Sequence, residues 1–271
     1  MNKYTQANRK LWNAWTEVHK NSEFYDNESF KAGRNTLKSI EVEEVGDVEG
    51  KSLLHLQCHF GQDTISWARL GAQVTGVDLS DEAIKLAKSL AADLNLDARF
   101  ICSDIYALPD ILDEQFDIVF TSYGVLSWLS DLDRWGQIAA RYLKPGGIFY
   151  IVELHPISVT LDDEIVEPGL HIRYPYFHGR EPMRFDDGVS YADPDPQRAV
   201  QMTNYQWNYS LGEVINALIN AGLRIEFVHE FPMTTYRHLP SMEKGTDGWY
   251  RLPQGLPEIP FLFSVKAQKP T

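Results

Sequence analysis

Between residues 51 and 154, short runs of β-formers alternate with helix-patterned stretches, and no other feature of the 271-residue chain constrains its fold as tightly. Ser52-Leu53-Leu54-His55-Leu56 precedes a helical pattern from Gln62 to Leu70, and Ala72-Gln73-Val74-Thr75-Gly76-Val77 follows it. The rhythm continues with a helix from Asp81 to Leu94 and strands over Ala98–Cys102 and Phe116–Thr121. A helix from about Leu132 to Leu143 then leads through Lys144-Pro145-Gly146-Gly147 to a strand over Ile148–Glu153. Such alternation predicts parallel strands joined by right-handed crossovers, hence a doubly wound α/β sheet covered on both faces. Ser80 ahead of Asp81-Glu82 marks one helix start, since the hydroxyl caps free N–H groups and the acids suit the helix dipole.

The flanks read differently. Tyr4, Leu11, Trp12 and Trp15 recur at helical spacing, and so do Phe30, Leu37 and Ile40, which predicts two helices ahead of the core. Trp12, Trp15, Phe24 and Tyr25 are candidates to close over a pocket, although an aromatic stripe at this spacing is more often simple core. After His155-Pro156 come about fifty residues rich in Pro, Asp and aromatic side chains, too long for an ordinary loop. Alternation in His171-Ile172-Arg173-Tyr174 and a turn at Gly179 predict a β-hairpin within a β-rich cap insertion. A helix capped by Ser210 and ended by Ala221-Gly222 follows, then strands over Leu223–Glu230 and Phe261–Ala267. These last two strands have no helix between them and are expected to be antiparallel. The expected division is a helical lid over 1–50, a core over 51–155 plus 204–271, and the cap over 156–203.

Charge narrows the choice of partner. With 38 acidic and 25 basic side chains the chain carries −13, and it holds no run of Lys and Arg that would bind nucleic acid. His171, Arg173, His178, Arg180 and Arg184 form a local basic cluster, suited either to a substrate anion or to surface ion pairs. The N-terminus opens no apolar stretch of signal or membrane length. Cys58 and Cys102 each lie in an apolar run and read as buried, reduced thiols. A cytoplasmic protein without a membrane partner is expected, with a homodimer left open.

Three segments carry chemistry. His55-Leu56-Gln57-Cys58-His59-Phe60-Gly61-Gln62-Asp63 turns from the first strand into a helix, where N–H groups can receive a ligand anion. Gly76-Val77-Asp78-Leu79-Ser80 places an acid at the carboxyl end of the second strand, suited to ribose hydroxyls. Cys102-Ser103-Asp104-Ile105 places another after the third strand, where Ile105 can pack on a ring.

Together these segments resemble the class I S-adenosylmethionine-dependent methyltransferases over roughly residues 51–154 plus the final helix and strands. The resemblance implies a Rossmann-like seven-stranded sheet in the order 3-2-1-4-5-7-6, with the last strand antiparallel. It also implies S-adenosyl-L-methionine as cofactor, its methionine part at Gly61, its ribose at Asp78 and its adenine at Asp104. Gln57, His59, Leu79, Ser103, Ile105 and Ser122 complete the candidate cofactor set. One departure stands out: the family's turn reads acid-x-Gly-x-Gly-x-Gly, and here His55, Gln57 and His59 replace the acid and the first two glycines. Another side chain or a backbone carbonyl must then replace the acid's contact to the cofactor amino group. The spelling resembles that of a bacterial subgroup of the family.

Ligands of such sheets sit beyond the carboxyl ends of the strands, which nominates Tyr123 and His155 as candidate catalytic residues. His155 titrates near neutrality when unperturbed and can take a proton, or it can bond to backbone ahead of Pro156. His55 and His59 lack a third ligand of clear spacing, so no metal is expected. The expected activity is methyl transfer to a small-molecule acceptor by in-line displacement. One rival is a nicotinamide-dependent oxidoreductase, against which stands the missing Gly-x-Gly-x-x-Gly. Another is a non-catalytic protein that binds the cofactor for regulation.

Overall fold

A computed structural model describes residues 1–166, 169–186, 188–193 and 199–271. Parts of the expected cap, at 167–168, 187 and 194–198, lie outside the described residues.

The core is a seven-stranded sheet of β1 (Ser52–Leu56), β2 (Gln73–Asp78), β3 (Ala98–Cys102), β4 (Phe116–Ser122), β5 (Leu143–Leu154), β8 (Arg224–Phe231) and β11 (Leu262–Gln268). Between β5 and β8 lie the short strands β6 (Met183–Phe185) and β7 (Asn204–Gln206), which pair with each other. Strands β9 (Glu243–Lys244) and β10 (Tyr250–Arg251) form a second small ribbon between β8 and β11. The large sheet runs β3-β2-β1-β4-β5-β11-β8, with β11 antiparallel to both neighbours. This is the expected order, with the last strand of the chain inserted between β5 and β8.

Burial explains the arrangement. Leu53, Leu54, His55 and Leu56 of β1 are all buried, as a central parallel strand covered on both faces requires. Leu54, Val119, Phe149 and Ile151 face α6 (Leu132–Arg141) and α7 (Leu211–Asn220). Leu53, Ile118, Phe120, Tyr150 and Val152 face the opposite layer, which includes α3 (Ser39–Val45) and α4 (Gln62–Arg69). Helix α5 (Asp81–Asp93) completes that layer by packing Ala83, Ile84, Ala87 and Leu90 around Phe100. Its cap is as expected: Ser80 Oγ accepts from Ala83 N at 3.0 Å. At the amino-terminal ends of β1 and β4, Asp117 accepts from Ser52 N and from Lys144 Nζ, each at 2.9 Å.

Several expectations need correction. The leading segment forms three helices, α1 (Lys3–Lys20), α2 (Asn27–Lys31) and α3, because left-handed Asp26 (φ 40°) and Gly33 (φ 112°) bracket α2. No hairpin forms over His171–Tyr174; Ile172 makes an isolated bridge to Leu161, and β6 of the cap pairs instead with β7, which begins just past it at Asn204. Pro175 and Pro182 lack the N–H groups that a continuous ladder would need. The basic cluster is partly ion-paired at the surface, Arg173 with Asp162 and Glu164 and Arg184 with Asp186. Cys58 is buried, but Cys102 is exposed at the end of β3. Among the described residues no helix is long and apolar enough to cross a membrane.

Candidate active site

The turn from β1 into α4 has an unusual backbone. Gln57, His59 and Gly61 have φ of 57°, 51° and 78°, so three alternate residues are left-handed although only one is glycine. The left-handed region costs an ordinary residue roughly 1–2 kcal/mol, and such conformations persist where surrounding contacts over-determine them. Those contacts are present. Gln57 Nε2 donates to Val125 O across the sheet at 2.9 Å, and His59 N donates to Asp78 Oδ2 at 2.8 Å. A Cβ at Gly61 would stand 2.6 Å from the Phe100 ring, so glycine is required there for space as well as for φ. Two buried side-chain atoms in the turn have no partner, Gln57 Oε1 and His59 Nδ1.

Asp78 ends β2 beside this turn. Its Oδ1 accepts from Ser80 N at 2.8 Å while Oδ2 holds His59 N, and burial raises the carboxyl to about 6 against the pull of those N–H groups. Each oxygen keeps a lone pair for another donor. Ser103 N donates to Asp78 O, which ties the ends of β2 and β3 together. Asp104 caps the following turn by accepting from Tyr106 N at 3.0 Å, and Ser103 Oγ donates to Asp104 O. Ile105 is buried in the core, and Leu79 is half-buried.

Beyond β4 and β5 the other candidates are anchored. Tyr123, itself left-handed at φ 46°, donates its hydroxyl to Glu41 Oε2 at 2.8 Å. Glu41 is fully buried, and that burial pushes its carboxyl up to about 8. Ser122 is buried and hydrogen-bonds Asp63, whose other partner is Thr36 Oγ1. The Glu153 carboxylate accepts from the N–H groups of Gly124, Val125, Leu126 and Leu154, which pins the loop after β4. His155 is buried, with Nδ1 accepting from Ile157 N at 3.0 Å. Its Nε2 lies 2.7 Å from Glu230 Oε1 but off the line of a hydrogen bond. Burial lowers the His155 pKa and Glu230 opposes the shift. The Tyr123 hydroxyl and His155 Nδ1 are thus engaged by Glu41 and Ile157, while among the described residues His155 Nε2 has only its contact with Glu230.

The structure adds partners that the pattern did not nominate. His19, one turn beyond Trp15 on α1, sets Nδ1 2.8 Å from His59 Nε2 and Nε2 2.7 Å from Ser190 Oγ. Burial depresses both imidazoles, His19 to about 3, so at neutral pH each is uncharged with one N–H, and one of those two protons lies in the bond between the rings. The Trp12 ring lies 5.2 Å from each of Trp15, His59 and Trp128, and Tyr25 packs on both His59 and Phe60. Trp15 Nε1 donates to Gly188 O, and the Tyr25 and Tyr191 hydroxyls bond. Helix α1 and the 188–193 segment therefore close over the turn. Trp12 and Trp15 stood out in the sequence but His19, which continues their stripe at i+7, did not; Ser190 left no signal in the sequence.

Comparison with known proteins bears on this geometry. Residues 54–151 match the family model described as a methyltransferase domain. An S-adenosylmethionine dependent methyltransferase from Mesorhizobium loti superposes with a TM-score of 0.59 at 22% identity, covering 88% of this chain and 100% of that one. This is the methyltransferase fold. A second such structure, a putative S-adenosylmethionine dependent methyltransferase from Listeria monocytogenes, gives a TM-score of 0.60 at 20% identity over 86% of this chain and 97% of that one. By sequence, the ubiquinone biosynthesis O-methyltransferase of Idiomarina loihiensis is 28% identical over 153 residues, 53% of this chain and 63% of that protein. The chain thus matches less than two thirds of that relative's length. Within the methyltransferase fold, the matched stretch holds the Gln57–Gly61 turn, Asp78, Asp104 and the loop after β4.

Proposed function

We propose that the protein is an S-adenosylmethionine-dependent methyltransferase acting on a small-molecule acceptor. One observation carries this reading: the turn after β1 keeps left-handed geometry at Gln57, His59 and Gly61, in register with the family's glycines, and faces Asp78. The residues fit the cofactor. Asp78 has lone pairs for two ribose hydroxyls, Asp104 and Ile105 suit adenine, and the Gln57–Gly61 turn suits the amino-acid end, where a buried acceptor lacks a donor. Leu79, Ser103 and Ser122 line the same strand ends.

When bound, the cofactor supplies an electrophilic methyl group on sulfonium sulfur. The chain's own part is placement and exclusion of water. Trp12, Trp15 and Trp128 form an apolar wall over the turn, and Glu153 holds the loop after β4 rigid. Holding reacting atoms about 3–3.5 Å apart in a dry site supplies much of the acceleration for a reactive nucleophile. Closure by α1 and the 188–193 segment supports a small acceptor over a polymer, and the net −13 supports the absence of a nucleic-acid partner. An oxygen nucleophile is the first acceptor class to test, by similarity to the O-methyltransferase relative. A cytoplasmic location, on the free thiols of Cys58 and Cys102, and a homodimer are further parts of the proposal.

Calorimetric titration with S-adenosylhomocysteine and with NADH tests the cofactor. Binding of the first alone is expected; binding of NADH alone overturns the reading. Methyl transfer to a panel of phenols, amines and thiols then separates an enzyme from a non-catalytic binder.

A further inference from the structure

We infer that Gln57 Oε1 is the acceptor for the ammonium group at the cofactor's amino-acid end, replacing the acid that this turn lacks. The inference rests on the methyltransferase reading above. His55 occupies the acid's place in the sequence but cannot take its role. It is buried at 2% exposure in β1, with Nδ1 2.8 Å from Thr64 Oγ1 and its ring edge-on to Phe120. An uncharged imidazole held in the core on the α4 side supplies no counter-charge to a ligand.

Gln57 lies two residues on, where the chain leaves β1. Its amide is oriented by its own bond, because Nε2 donates to Val125 O at 2.9 Å and only the oxygen is left over. Val125 is held in turn, its N–H donating to Glu153 Oε2 at 2.6 Å. The oxygen is therefore fixed between the β1 and β4 loops, buried and without a donor. A buried acceptor without a donor is costly and rare, and it calls for a ligand group. In the sheet order β3-β2-β1-β4-β5, the strand sequence reverses between β1 and β4, and ligands of such sheets bind at that crevice.

Charge selects the group. An amide oxygen attracts an ammonium and repels a carboxylate, and Asp78 on the β2 side of the turn is the ribose anchor. A ligand lying from Asp78 toward β4 brings its amino-acid end to Gln57. The retained side chain agrees with this: glycine at φ 57° would remove the backbone strain, yet the position carries a side chain with a spare acceptor.

The test is calorimetry of wild type, Gln57→Met and Gln57→Gly with two probes. These are S-adenosylhomocysteine and its deaminated analogue, which keeps the thioether and carboxylate but has hydrogen in place of the amino group. Both variants are expected to bind S-adenosylhomocysteine about 10–100-fold more weakly, the loss typical of a hydrogen bond to a charged group. The deaminated analogue is expected to bind all three proteins within about threefold, because it lacks the group that Gln57 receives. Gln57→Gly relaxes the left-handed backbone, so it remains a folded test if Gln57→Met does not fold. Equal weakening of both probes, or of neither, overturns the inference while leaving the cofactor assignment intact. Wild type that binds neither probe overturns both.

Discussion

Asp78 is the residue whose removal tests the site most directly. Asp78→Ala is expected to weaken S-adenosylhomocysteine by roughly 1.5–3 kcal/mol, the worth of a charge-assisted hydrogen bond; calorimetry on the folded variant measures it, and unchanged affinity removes Asp78 as the ribose anchor. Glu41 predicts a pH dependence. The unfolded chain releases its proton near 4.5 and the folded protein near 8, so within that window the folded state holds the extra proton. Stability therefore falls as pH rises from 4.5 through about 8 and levels off above it. Glu41→Gln is expected to flatten this fall, gaining on wild type by about 1–3 kcal/mol between pH 5 and pH 8.5 in urea unfolding. A parallel decline in both proteins removes Glu41 as the cause. At this scale Asp78 and Asp104 were legible because an acid at the end of a strand is a local pattern. The protonation of Glu41 was not, since it depends on how α3 packs against the sheet, with Tyr123, 82 positions further along the chain, bonded to its carboxyl.

Helices and strands obey their local signals closely where neighbours in sequence decide them. Ser210 caps α7 with a reciprocal bond from Glu213, as its position before Leu211 predicts. Helix–helix contact is another matter. In α6, a Cβ at Gly136 would stand 2.6 Å from Ala217 O of α7. Gly136→Ala should therefore destabilise the fold by about 1–3 kcal/mol through overpacking, despite alanine's higher helix propensity. Chemical denaturation checks the sign, and a stabilised variant would mean that the two helices separate freely. The His171–Tyr174 alternation illustrates the opposite error: period-two patterning made a strand plausible, but without continuous N–H donors opposite it the segment formed one bridge.

For the molecule as a whole, α1 and the 188–193 segment together cover the turn after β1. Arg9 and Asn13 hold Asp81, Asn8 holds the backbone of Tyr205, and His19 joins His59 to Ser190. Ligand beneath this cover stabilises only the folded state. S-adenosylhomocysteine at about 100 times its Kd is expected to add about 2.7 kcal/mol and raise the melting temperature by several degrees. NADH at the same concentration should leave the melt unchanged, and the reverse pattern would contradict the cofactor assignment. Emission from Trp12, Trp15 and Trp128 should shift in the same titration, because their rings meet over the turn.

From the sequence alone came the alternation of strands and helices, the sheet order through the family resemblance, and the acids at the strand ends. Each is legible because it rests on short-range periodicity, capping or a motif. Tertiary structure decided the left-handed φ of Gln57 and His59, the joining of His19 to Ser190, and the engagement of His155 by Ile157 and Glu230. The physical reason is range. A backbone angle or a proton affinity is set by what packs around a group, and His19 and Ser190, which meet here, are 171 positions apart in the chain.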